Sequence, residues 1–153
     1  MKKIVSIARA LKEKNRVAGR LRQALTEVGK ENSQDVRIPR GVDVLEMYEQ
    51  AKQLRARLLA TKRAIAEANH AIVGKILELD EVKAQIAFLN GLDVKEGRFV
   101  TTRYSETIET EVTAVIQKAQ VLKEVEALQK QADALQDELD NFNATTFVEI
   151  EVD

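Results

Sequence analysis

Cysteine and tryptophan are absent from these 153 residues, proline occurs once, glycine six times, and aromatic residues make up only 4%. Without cysteine there is no disulfide, no thiolate nucleophile and no Cys-type zinc site. A single proline leaves few places where a helix must break. Long apolar runs are missing too: no stretch approaches the roughly 18 apolar residues needed to span a bilayer. Met1-Lys2-Lys3 opens like a signal peptide, but Arg9 and Lys12 interrupt the apolar run before an h-region can form. The expectation is a soluble, cytoplasmic protein with no membrane span.

What is abundant is equally informative. Ala, Leu, Glu, Lys and Arg together supply 75 of 153 residues, about the half that is typical of coiled coils and long helices. From Val44 to Leu89, small or apolar residues recur at alternating spacings of three and four: Val44, Met47, Ala51, Leu54, Leu58, Thr61, Ile65, Ala68, Ile72, Lys75, Leu79, Val82, Ile86, Leu89. Only Thr61 and Lys75 break this seam. The 3.5-residue period predicts a long helix over about 44–90, buried along one stripe against partner helices. A straight helix of that length would extend about 69 Å. Gly74 costs about 1 kcal/mol relative to Ala and makes a kink or break near Asn69–Lys75 an alternative.

A similar seam, Ile4, Ile7, Leu11, Lys14, Ala18, Leu21, Leu25 and Val28, predicts a first helix over about 2–29, with Gly29 as its C-terminal stop. The polar segment 30–42 contains Ile38-Pro39-Arg40-Gly41 and reads as a loop, after which Asp43 caps the long helix with Glu46 three residues on. Asn90-Gly91 ends that helix. Arg98–Tyr104 suits a short strand. A third helix is expected over about 107–142, through Ile108, Val112, Val115, Leu122, Leu128, Leu135 and Leu139, and the alternation at 146–152 predicts a second strand. The resulting expectation is an all-α fold in a single domain. It is an elongated antiparallel bundle, or coiled coil, of three principal helices with short β segments at its ends. If the third helix is straight, the two strands have no partner within one chain.

Net charge is −1 overall but strongly polarised. Residues 1–40 carry 11 Lys or Arg against 4 Asp or Glu, whereas residues 104–153 carry 3 against 12. Arg16, Arg20, Arg22, Arg98 and Arg103 form a candidate basic patch for a phosphate backbone. The acidic third offers a competing role for those charges, neutralisation within or between chains, which is the preferred reading.

No catalytic constellation emerges. His70 follows Glu67 as Glu-x-x-His, a half-motif of di-iron bundles, but the heptad register places both away from the seam. Asp133, Asp137, Glu138 and Asp140 have no EF-hand spacing and read as a solvated helix face. The glycines form neither GxGxxG nor a P-loop. The expectation is therefore no enzyme, no metal and no cofactor.

Arg103-Tyr104-Ser105, the run Leu128–Asp140 and Asn143-Ala144-Thr145-Thr146 resemble a family of small bacterial helical proteins labelled septicolysin. Ala8–Leu25 and Ile65-Ala66-Glu67-Ala68-Asn69 match the places of that family's first two helices. The resemblance implies a mostly helical chain. The label would also imply a membrane-active surface; none is found in this sequence, and that activity is not carried over.

The functional expectation is a non-enzymatic structural or assembly protein that acts through helix–helix self-association. Alternatives are a prefoldin-like holdase, since two long helices flank a β-containing connection, and nucleic-acid binding through the basic N-terminal third. Leu59, Val73, Ile76, Leu77, Leu79 and Val82 widen or line the apolar face of the long helix and are the expected homo-oligomer interface.

Overall fold

The computed structural model describes residues 1–152. The element order is β1 (Lys2–Ser6), α1 (Ile7–Glu31), α2 (Val44–Asn69), α3 (Val73–Gly91), β2 (Gly97–Arg103), β3 (Glu106–Val112), α4 (Lys118–Thr145) and β4 (Phe147–Glu151). The expected all-α bundle of three helices is thus incorrect. Among the described residues, four helices are accompanied by two antiparallel sheets of two strands each, a mixed α and β architecture.

Three physical causes account for the difference. Lys2–Ser6 was expected as helix but pairs with β4 in the register Lys2↔Glu151 to Ser6↔Phe147. Cationic Lys2 lies 3.5 Å from the carboxylate of Glu149, and Val152 N donates to Met1 O at 2.9 Å, which extends the ladder. The long helix is interrupted at 70–72, where His70 N donates to Glu67 O and Ile72 N to Asn69 O in tight three-residue turns. Finally, Glu106–Val112 forms a strand rather than the start of a third helix, and that helix begins only at Lys118. Both strand segments that lacked partners in the sequence reading therefore find them within the chain.

The chain divides into two units. The first comprises Met1–Val73 and the C-terminal stretch from Leu139, and its core gathers Val5, Ile7, Ala10, Ile65, Val148 and Ile150, with Leu11, Ala64, Ala68 and Phe142 against them. Alternation along β4 sends Val148 and Ile150 inward and Phe147, Glu149 and Glu151 outward. Ser6 caps α1 through its hydroxyl, which accepts from Arg9 N at 3.4 Å, and Ile7 N donates to Thr146 O at 2.9 Å. Asp43 caps α2 as expected, accepting from Glu46 N at 3.0 Å. Thr61, a polar residue on the seam, is buried and donates its hydroxyl hydrogen to Arg57 O at 3.0 Å, which satisfies it locally. Gly29 lies inside α1 rather than at its end.

The second unit, Gly74–Glu138, contains most of α3, the β2–β3 hairpin and most of α4. Polar bonds join the two helices: Lys75 to Glu138, Gln131 to Glu78 at 3.0 Å and Gln85 to Glu124 at 3.1 Å. Ascending positions on α3 meet descending positions on α4, so the helices run antiparallel. Leu79, Val82 and Leu89 on α3, and Val121, Ala132 and Leu135 on α4, are the buried residues of this seam. Lys75, the charged residue on the seam, is absorbed by Glu138.

Candidate interaction surface

Helix α3 carries apolar residues on two opposite sides. At about 100° per residue, Leu79, Val82, Ile86 and Leu89 cluster on one side, while Leu77, Ala84 and Phe88 cluster roughly half a turn away. The first side is covered within the chain. The second is open: Leu77 is 61% and Phe88 63% exposed. Such a helix is apolar enough for burial on both sides, yet α4 covers only one.

The hairpin between α3 and α4 is exposed on both faces. Phe99 is 42%, Val100 64% and Ile108 49% exposed. Its turn residues Tyr104 and Ser105 have φ of 48° and 71°, the left-handed region that a two-residue type I′ turn demands. Glycine and asparagine ordinarily fill these positions, so the hairpin signal was missing from the sequence.

The residues expected at an oligomer interface differ in burial. Leu79 and Val82 are buried within the chain, at 4% and 7% exposure, and belong to the α3–α4 seam rather than to an outer surface. Ile76 is half-buried beside them. Leu77 is exposed on the outer side of α3; Val73 is exposed at its first residue, and Leu59 is exposed on α2 in the first unit. Phe88, which extends the outer stripe, was overlooked as an interface residue although it stands eleven residues beyond Leu77, three turns along the same side.

Of the residues expected in a basic patch, Arg16, Arg20 and Arg22 lie on α1 in the first unit, and Arg98 and Arg103 on β2 in the second. Arg16 binds Glu13 with two hydrogen bonds, Nε to Oε2 at 3.0 Å and Nη2 to Oε1 at 2.8 Å. Glu13 is buried and also accepts from Arg57 of α2. Arg98 lies 3.7 Å from Glu109, and Arg103 stands opposite Glu106 in the hairpin register. Beside the Glu13 cluster, a cleft of about 630 Å³ is lined by Arg20, Gln50, Gln53, Leu54, Arg57 and Glu151, with Ala56 and Ala60. Its lining contains no histidine, serine or threonine, so it holds no Ser–His or Thr–His pair.

His70 is exposed at the end of α2. Of the acidic residues on α4, Glu138 pairs with Lys75, and Asp133 accepts from Gln129 at 2.9 Å. Among the described residues, no three His, Cys, Asp or Glu side chains gather in a way that could hold a metal ion, and no helix is long and apolar enough to cross a membrane.

Compared with known protein families, curated proteins and solved structures, the chain has no significant match. Of the motifs behind the septicolysin resemblance, Arg103-Tyr104-Ser105 forms the tip of the hairpin. Asn143-Ala144-Thr145-Thr146 forms the junction of α4 with β4, where Thr146 O receives the bond from Ile7 N.

Proposed function

We propose that this protein is a non-enzymatic assembly protein that works by self-association through the outer side of α3. The observation that carries this reading is the second apolar stripe, Leu77, Ala84 and Phe88, opposite a side already covered by α4. Burying a Leu or Phe side chain contributes about 1.5–3 kcal/mol. A two-fold contact buries Leu77 and Phe88 twice, which offsets a sizeable part of the association cost of about 4–15 kcal/mol. An antiparallel α3–α3 contact sets Leu77 of each copy against Phe88 of the other, with the small Ala84 side chain letting the helices approach.

The test is a comparison of the wild type with Leu77→Glu/Phe88→Glu. Both substituted residues are exposed, so the variant keeps its helical circular dichroism. It should sediment as a monomer where the wild type sediments as a larger species. An unchanged oligomeric state would overturn the assignment of this side of α3.

A further inference from the structure

The β2–β3 hairpin is another surface that the fold leaves uncovered, and its charges are sorted by strand. Seven residue pairs join the strands, from Gly97↔Val112 to Arg103↔Glu106, and of the fourteen only Val112 is not exposed. A lone two-stranded hairpin is marginally stable in water, and each of its strands retains one unpaired edge. β2 carries Arg98 and Arg103 and no acid; β3 carries Glu106, Glu109 and Glu111 and no base.

The sorting discriminates between ways of adding a strand. Joining β2 to a second β2 sets arginine near arginine, and joining β3 to a second β3 sets glutamate near glutamate. Both are opposed by like-charge repulsion across the ladder. Joining β2 to the β3 of another copy brings opposite charges together, and it aligns the β-branched and aromatic residues Phe99, Val100 and Ile108 along a widened sheet.

We infer that the β2 edge of one copy adds to the β3 edge of another copy, so that hairpins build one continuous antiparallel sheet across the assembly. This rests on the self-association reading above and identifies a second contact within it. Unlike the α3 contact it is heterologous, using two different edges, and so links copies head to tail.

A charge-swapped variant tests it: Arg98→Glu, Arg103→Glu, Glu106→Arg, Glu109→Arg and Glu111→Arg together. The swap preserves opposite charges within each hairpin and between copies of the variant. Against a wild-type copy, however, both junctions become like-charged. Wild type and variant, one of them isotopically labelled, are dissociated, mixed in equal amounts, reassociated and weighed by native mass spectrometry. The expected result is self-sorting, with mixed assemblies depleted at least about five-fold below the statistical amount.

Statistical mixing would overturn the hairpin inference while leaving self-association intact, and an excess of mixed species would overturn it in favour of like-edge pairing. A monomeric wild type would overturn both readings. Should the swapped hairpin fail to fold, the neutral variants Arg98→Gln/Arg103→Gln and Glu106→Gln/Glu109→Gln/Glu111→Gln set no like charges against each other within the hairpin. Each should assemble less than wild type, and unchanged or increased assembly of both overturns the inference.

Discussion

Arg57 of α2 joins two other elements at once: its Nη2 donates to the Glu13 carboxylate on α1, and its Nε donates to the backbone carbonyl of Glu151 on β4 at 3.3 Å. Both side chains of the Arg57–Glu13 pair are about nine-tenths buried. Removing one member of a buried pair costs about 3–5 kcal/mol, because a desolvated charge loses its partner. Arg57→Ala should fall near the lower limit, about 3 kcal/mol, since Arg16 still neutralises Glu13. Replacing the pair together, Glu13→Leu with Arg57→Met, should cost distinctly less. Urea unfolding of the two variants checks the difference.

Gly19 lies in the interior of α1, where an added Cβ meets nothing within 4 Å. Gly19→Ala should therefore stabilise the chain by about 0.5–1 kcal/mol, through lower backbone entropy of the unfolded state and better helix propensity. A rise in the thermal midpoint is the expected reading.

Tyr104 and Ser105 occupy left-handed backbone without being glycine or asparagine, at a cost of about 1–3 kcal/mol each. Tyr104 is fully exposed and gives up no packing when replaced. Tyr104→Asn/Ser105→Gly should slow amide hydrogen exchange along β2 and β3 by about ten-fold or more.

The loop between α1 and α2 contains a local charge contact with a definite pH signature. The Arg37 side chain, donating to both oxygens of Asp35, holds the Asp35 carboxyl below the usual carboxylate value, and Arg37 N adds a bond at 2.9 Å. Because the folded value is the lower one, the contact's contribution is present above the unfolded pKa. It is lost as pH falls through the folded value. A carbon-detected NMR titration should find Asp35 titrating at lower pH than an ordinary aspartate, and Arg37→Gln should move its midpoint upward.

Much of the helical content was legible because the seam is a physical requirement for burial: Ile65, Leu79, Val82 and Leu89 are buried where the three-four spacing puts them. The ends of elements were less legible. Ile4 and Ile7 continue the helical spacing backwards into Lys2–Ser6, which conceals a strand whose basic, β-branched residues complement the acidic alternation of 147–151. Ile108 and Val112 stand four apart and mimic a helix, although Thr107, Ile108, Thr110 and Val112 are β-branched and Glu106–Val112 alternates in part. In both cases tertiary pairing outweighed local spacing. The candidate surface was only half visible. Leu77 was recognised, but Leu79 and Val82 could be assigned to the inner seam only once α4 was seen to run antiparallel beside α3.

Sedimentation velocity of the wild-type protein across about 1–100 µM tests self-association most directly. The second apolar side of α3 predicts a species of at least two chains whose share grows with concentration. A single species with the mass of one chain throughout that range would contradict it.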